Sequence, residues 1–108
     1  MIERLPGERP YARSVYFGYH LLFREPRVRA RAEAALHEAG IETRPFFSLI
    51  PAQAPYRDMG YRGADTPVAA DLITARPLRL ELARSDAPRI AALIADTLRG
   101  VARAEGLG

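Results

Sequence analysis

Residues 14–23 read SVYFGYHLLF, and this stretch decides the fold of the 108-residue chain. Every odd position from Val15 to Phe23 is apolar, which is the two-residue period of a strand with one face against a core. The even positions are mixed, so we expect the other face to be only partly covered. The predicted buried row is Val15, Phe17, Tyr19, Leu21 and Phe23.

A helix is predicted directly after this strand. Pro26 suits the first helical turn, and Gly40 stands where a helix usually ends. Apolar residues recur between them at helical spacing, namely Val28, Ala32, Ala35, Leu36 and Ala39. Residues 41–44 then read as a second short strand that Pro45 ends.

Residues 45–66, the proline-rich segment, are expected to be an irregular excursion, because prolines and glycines recur along them. Loops of this length are uncommon in compact domains unless they line a site or cover a partner. The aromatic residues of this segment have two equally weighted interpretations, docking onto the sheet or contacting a ligand. They are Phe46, Phe47, Tyr56 and Tyr61.

The last third of the chain predicts a helix, a strand and a helix. Thr66 and Pro67 form a cap followed by proline, Leu78 to Leu82 alternate as a one-sided strand, and Ser85 or Asp86 can cap the final helix. The buried stripe of that helix is predicted to be Ile90, Leu93, Ile94, Leu98 and Val101. The fold class is therefore α+β, with a sheet of about three strands, helices packed on one face, and a single domain over residues 1–108.

The composition excludes several kinds of chemistry. The chain has no cysteine, which removes disulfides, thiolate metal sites and a cysteine nucleophile. All 16 basic residues are arginine, so no lysine is present to form a Schiff base. No apolar run is long enough to span a membrane and no signal sequence is evident, so we expect a cytoplasmic protein without a membrane partner.

No self-contained catalytic or metal site is visible. His20 and His37 lack ligand-like neighbours, and a histidine at a helix C-terminus is explained by the helix dipole. The arginines between Arg24 and Arg31 favour a solvated helix face over a nucleic-acid surface, since no aromatic residues interleave with them. Arg44 and Arg57 remain, and arginine beside tyrosine suits binding of a carboxylate or a phosphate.

A longer pattern resembles a known family. The octamer GIETRPFF at residues 40–47, followed by Pro55-Tyr56-Arg57, resembles the C-terminal domain of the DegT/DnrJ/StrS-type sugar aminotransferases, and most closely the perosamine-synthase-like branch. The helix start at Thr66-Pro67 and the strand at Leu78-Arg79-Leu80 follow in the order of that family. The likeness spans residues 5–103.

This resemblance implies the small domain of a fold-type I enzyme that uses pyridoxal phosphate to aminate a nucleotide-linked keto-sugar, as in polysaccharide biosynthesis. In that family the large domain holds the cofactor lysine, so this chain is expected to be a truncated or split member that binds no cofactor and is not active alone. Its implied partner is a large cofactor-binding domain or subunit, or a second copy. The implied substrate contacts are Arg44 and Tyr56, with Arg57 beside them. The alternative is a stand-alone binding or dimerisation module.

Overall fold

A computed structural model describes residues 1–15, 18–61, 66–73, 77–80 and 86–107. Its strands are β1 (Ile2–Arg4), β2 (Tyr19–Phe23), β3 (Thr43–Pro45) and β4 (Pro77–Leu80). Its α-helices are α1 (Pro26–Glu38), α2 (Ala54–Asp58), α3 (Pro67–Ile73) and α4 (Ala87–Ala104), and a 3-10 turn occupies Ile50–Ala52.

The strands form one antiparallel sheet in the order β1-β2-β4-β3. The predicted α+β class is confirmed, but the sheet has four strands among the described residues where about three were expected. The additional strand, β1, is three residues long, which is too short for an alternating pattern to be recognised in the sequence.

The core lies between one face of the sheet and the pair of helices α1 and α4, which pack against each other. Leu21 and Phe23 of β2 and Leu78 and Leu80 of β4 point into it, because alternate residues of a strand share a face. The helices contribute Val28, Ala32, Leu36, Ile94 and Leu98. The predicted arrangement of helices on one sheet face is thus correct for α1 and α4.

The first predicted strand is shorter than expected. It begins at Tyr19, and Val15 is 91% exposed, so the prediction that Val15 belongs to the buried row is wrong. The backbone before Ser14 turns, since the N–H of Ala12 donates to the carbonyl of Arg9 and the N–H of Ser14 donates to Oε1 of Glu8. Ladder pairing of β2 with β4 starts at Tyr19.

Helix α1 ends as predicted. Gly40 has φ +80°, its N–H donates to the carbonyl of His37, and the N–H of Ile41 donates to the carbonyl of Leu36. This Schellman closure requires a left-handed residue, which glycine supplies without a Cβ clash. Ile41 is consequently buried against the core, and the following strand is displaced to Thr43–Pro45 from the predicted 41–44.

The proline-rich segment is more regular than predicted. It contains the 3-10 turn and α2, each with a proline at its first or second position, Pro51 and Pro55. Proline lacks an N–H that would in any case be unbonded in a first helical turn, so these residues start helical turns instead of preventing them. Gly60, with φ +92°, then closes α2 by the same Schellman pattern through Tyr61.

The predicted capping residues stand at the helix starts, but their side chains form no capping hydrogen bond among the described residues. The Thr66 carbonyl accepts from the N–H of Ala70, but its Oγ1 has no hydrogen-bond partner within the described part of the chain. Asp86 occupies the N-cap of α4, yet its carboxylate accepts from the Arg89 side chain at 2.6 Å and 3.0 Å and caps no helix amide among the described residues.

Other predictions for the last third have mixed outcomes. Leu93 was predicted to be buried and is 36% exposed, while Ile94, Leu98 and Val101 are buried as expected. Predictions for four residues lie outside the described ranges, namely Phe17, Gly63, Leu82 and Ser85.

One carboxylate joins the two long helices. Glu105, directly after α4, has a side chain only 4% exposed, and its two oxygens contact Arg27 Nη2 at 2.9 Å and Arg31 Nε at 3.0 Å. The two arginines are four residues apart, so they lie on one face of α1. Gly106, with φ +70°, turns the backbone directly after Glu105, where α4 ends.

The chain exposes more surface than a compact domain of its mass. Its accessible surface is 7900 Å², against about 6,000 Å² for a folded monomer of this size. Its radius of gyration is 15.8 Å, against about 13 Å for a compact domain of this length.

Candidate functional site

The sheet face opposite α1 and α4 carries a row of basic side chains. Arg79 of β4 is the direct cross-strand partner of His20 on β2 and of Arg44 on β3. Directly opposed residues in an antiparallel pair point to the same side, with Cβ atoms about 4.5–5.5 Å apart. The three side chains therefore form one line across the sheet.

Two phenylalanines border this row. Phe46 contacts the His20 ring edge-on with centroids 4.8 Å apart, and Phe47 contacts Phe46 in the same manner at 5.5 Å. The Arg79 guanidinium lies over the Phe47 ring, 5.6 Å from its centroid, within the range of a cation–π contact. We call the set His20, Arg44, Phe46, Phe47 and Arg79 the arginine face.

Of the two interpretations of the aromatic residues, docking onto the sheet is seen for Phe46, and ligand contact stays a prediction for Phe47. Phe46 docks the proline-rich segment onto the sheet and is partly buried. Phe47, only one residue later, is 60% exposed and presents its ring to solvent beside Arg79. The arginine face thus combines guanidinium groups with an accessible aromatic ring. This combination suits a carboxylate or phosphate attached to an apolar or planar group.

The His20 imidazole is closely packed. Burial first, and the positive charge of Arg79 second, lower the pKa of His20 from its ordinary value, so the ring is neutral at pH 7. Gly18 provides the space for it, because a Cβ at this position would lie 3.0 Å from His20 Cε1 and 3.1 Å from Arg79 Cδ. Nε2 of His20 is buried with no hydrogen-bond partner within the described ranges.

The three residues expected to contact substrate occupy two separate elements. Arg44 is on β3 within the arginine face, with its side chain 59% exposed and Nη2 2.9 Å from Oε1 of Glu42. Tyr56 and Arg57 are neighbours on α2; Tyr56 is 42% exposed and packs edge-on against Tyr61 at 6.3 Å. Nε of Arg57 lies 3.7 Å from the adjacent Asp58 carboxylate, and the Arg57 side chain is 66% exposed.

Arg79 is the site residue that the sequence prediction missed. Alternation with Leu78 and Leu80 already placed it on the face away from the core. Its neighbours could not be read from that pattern, because strand order and register determine them. His20 was considered only as a metal ligand, and its packing against Gly18 and Phe46 is likewise a product of register.

An apolar groove lies on the opposite side of the sheet, beside α4. It encloses about 500 Å³ between the first two strands and the helix. The side chains of Leu5, Tyr19 and Ile94 line it, and Leu5 is 53% exposed there. A groove of this size and character is within the range that small ligands or protein partners occupy.

The arginines of α1 take part in ion pairs within the domain. Arg27 and Arg31 bind Glu105, and Arg29 Nη1 lies 2.7 Å from Oε2 of Glu33. Arg27 and Arg31 are 67% and 63% exposed, as the interpretation of a solvated helix face expects, whereas the Arg29 side chain is only 17% exposed. Within the described ranges, no group of three or more histidine, aspartate or glutamate side chains is arranged to hold a metal ion, and no helix has the length and apolar character to cross a bilayer.

No protein family model, no curated protein and no solved structure matches this chain. The chemistry of the site therefore follows from its own residues. Pyridoxal phosphate is held in aminotransferases through a lysine amine, and this chain contains none. Its side chains do not fit the cofactor as a covalent anchor, whereas the arginine face fits an oxyanion.

Proposed function

We propose that this chain works in the cytoplasm as a C-terminal small domain of the DegT/DnrJ/StrS type, acting together with a large domain. It helps to cover the active site of a lysine-bearing large domain and contacts a nucleotide-sugar substrate. It is not catalytic alone. The parent activity is transfer of an amino group to a keto-sugar with pyridoxal phosphate.

The arginine face is the observation on which this proposal rests. Arg44, carried over from the GIETRPFF resemblance, lies on an exposed sheet face together with Arg79 and the accessible Phe47 ring. Arginine forks bind phosphate and carboxylate groups bidentately, and an exposed phenyl ring adds apolar contact. Arginine side chains and an exposed phenyl ring suit a domain that orients an anionic substrate beside a reaction centre in another domain. Such a domain requires no lysine of its own.

The surplus of exposed surface supports a covering role. The difference from a compact monomer is about 1,900 Å², which exceeds the roughly 800 Å² that each partner contributes to a standard protein interface. Part of the surplus is apolar and belongs to the proline-rich segment, where Ile50 is 62% and Met59 70% exposed. Burial of such side chains against a large domain is worth about 25 cal/mol per Å² before the costs of association.

Reconstitution with a large domain tests the proposal. The purified chain is mixed with a lysine-bearing large domain of this family that is loaded with pyridoxal phosphate. Association is followed by sedimentation velocity, and the cofactor by its visible absorbance. We expect a complex, a spectral change and gain of transamination. Absence of both association and spectral change refutes the proposal, as does transamination by the chain unaided.

The apolar groove favours a second candidate, a binding module that forms a homodimer without cofactor. Leu5 is an exposed groove residue, whereas Val15 is a more exposed apolar residue that does not line the groove. Light scattering of the chain alone decides between the candidates. A stable dimer that Leu5→Glu dissociates and Val15→Glu does not supports the module; a monomer in every variant eliminates it.

A further inference from the structure

The connection between β1 and β2 contains a preformed turn. The N–H of Ala12 donates to the carbonyl of Arg9 at 3.0 Å and closes a β-turn with Pro10 at its second position, where proline is favoured. The N–H of Ser14 donates to Oε1 of Glu8 at 2.9 Å and closes a wider loop around this β-turn. We call the segment from Glu8 to Ser14 the N-terminal turn. Because its shape is fixed in advance, binding through it costs less conformational entropy than binding through a flexible loop.

The N-terminal turn presents a tyrosine to solvent. Tyr11, at the third position of the β-turn, is 86% exposed. Arg9 and Arg13, on either side of it in the sequence, are exposed as well. Tyrosine and arginine are the residue types that contribute most often to the binding energy of protein interfaces. Tyrosine suits this role because it joins a large apolar ring to a polar hydroxyl.

The N-terminal turn begins at the margin of the apolar groove beside α4. Leu5, which follows β1, and Tyr19, which begins β2, both line this groove. Most of the other lining side chains are aliphatic, and Arg99, in an exposed ion pair with Asp96 at 2.8 Å, adds a charged one. Tyr11 does not line the groove of its own chain. An occupant with an apolar ring and a polar end therefore matches the groove and has to come from another molecule.

We propose that two copies of the chain exchange their N-terminal turns, so that Tyr11 of each copy occupies the apolar groove of the other. The turn and the groove share a margin, so a two-fold axis can form both contacts at once, as in other isologous interfaces. The aliphatic lining accepts the ring, and the Arg99 guanidinium can donate a hydrogen bond to the hydroxyl. The surplus of exposed surface, about 1,900 Å², is sufficient for such a dimer. This inference rests on the second candidate function, the homodimeric module, and extends it by naming the segment that fills the groove.

Sedimentation equilibrium of the purified chain and four variants measures the contact. We expect a dimer whose dissociation constant rises about hundredfold in Tyr11→Ala, because each dimer loses two equivalent contacts of about tenfold each. Ala91→Glu places a charge in the groove from an exposed position of α4 and should have a similar effect. Ala92→Glu, at the next exposed position of α4, and Tyr61→Ala, at another exposed tyrosine, are the matched controls. Neither residue lines the groove, and both variants should dimerise like the wild type.

A mixture of the two defective variants tests the exchange itself. Tyr11→Ala keeps an intact groove, and Ala91→Glu keeps an intact turn. A mixed dimer therefore regains one turn-in-groove contact that neither variant can form with itself. We expect an equimolar mixture to contain more dimer than either variant alone at the same total concentration, with an affinity about tenfold below that of the wild type.

Three results would overturn the inference. These are a wild-type chain that is monomeric at every concentration, a Tyr11→Ala variant that dimerises like the wild type, and a mixture that contains no additional dimer. The first result also eliminates the homodimeric module. If either of the others is found while Leu5→Glu still dissociates the dimer, the module stands and the exchange of turns alone is rejected. Reconstitution with a large domain is measured separately, so none of these results decides the first candidate function.

Discussion

Replacing Glu105 with glutamine should destabilise the domain by separating α1 from the end of α4. The Glu105 carboxylate is 4% exposed and contacts both Arg27 and Arg31 within 3.0 Å. Glutamine keeps the volume of the side chain but removes its charge and one of its two acceptors. The substitution therefore tests the electrostatic contribution with little change in packing.

The magnitude follows from the exposure of the partners. A fully exposed pair contributes about 0.2–1 kcal/mol, and a hydrogen bond to a buried charged group about 1.5–3 kcal/mol. Here the carboxylate is buried while Arg27 and Arg31 are 67% and 63% exposed, so we take about 1 kcal/mol for each pair. Removing a negative charge from a helix C-terminus returns about 0.5 kcal/mol. The net loss is about 1.5 kcal/mol, or about 6–12 °C in Tm for a domain of this size.

Thermal and urea unfolding of four variants measure this effect. Glu33→Gln is the matched control, because Glu33 pairs with Arg29 within α1 and such a pair contributes about 0.3–0.5 kcal/mol. Arg27→Gln, alone and combined with Glu105→Gln, completes a double-mutant cycle with an expected coupling of about 1 kcal/mol. If Glu105→Gln costs no more than Glu33→Gln, or the coupling is zero, the reasoning is refuted.

Three further predictions concern backbone and pH. Gly18→Ala should cost less than about 1 kcal/mol in urea unfolding, because its Cβ would lie 3.0 Å from Cε1 of His20, and displacement of that ring is offset in part by the lower entropy of the unfolded chain. Gly40→Ala should cost about 1 kcal/mol in the same assay, since φ is +80° there, whereas Gly7→Ala, with open space and no positive φ, should be neutral. Because the His20 pKa is lower in the folded state, the unfolded chain binds its proton more tightly; stability should fall from pH 7.5 to pH 5, and His20→Asn should reduce that fall.

Each of these has a result that contradicts it. A Gly18→Ala variant with a larger loss of stability would mean that the imidazole cannot move aside. Equal effects at Gly40 and Gly7 would remove the argument from left-handed backbone. An identical pH dependence in wild type and His20→Asn would show that other groups account for acid sensitivity.

The elements whose apolar residues recur at a regular spacing were predictable from the sequence. The helical spacing of Val28, Ala32 and Leu36 and the glycine at 40 identified α1 within two residues, and alternation identified the core side chains of β2 and β4. Periodicity reports which side of an element is buried. It does not report where a partner strand begins, which is why the exposed Val15 was assigned to the core.

The candidate site was only partly predictable for the same reason. Residue type and local neighbours pointed to Arg44, but Arg79 joins it through a cross-strand pairing between residues 35 positions apart. The prolines of residues 45–66 were interpreted as breakers, although Pro51 and Pro55 begin helical turns. Proline has opposite effects at the start and in the interior of a helix, and its position within the turn decides which applies.

The edges of the sheet restrict how this chain can associate. Both outer strands, β1 and β3, are three residues long; β3 ends in Pro45, and β1 contains the charged residue Glu3. Short, charged or proline-containing margins discourage the addition of a foreign strand by main-chain hydrogen bonding. We therefore expect a lasting assembly of this chain, with itself or with another polypeptide, to form through side-chain packing on the broad surfaces, where arginines and aromatic rings lie, and not through a shared β-ladder.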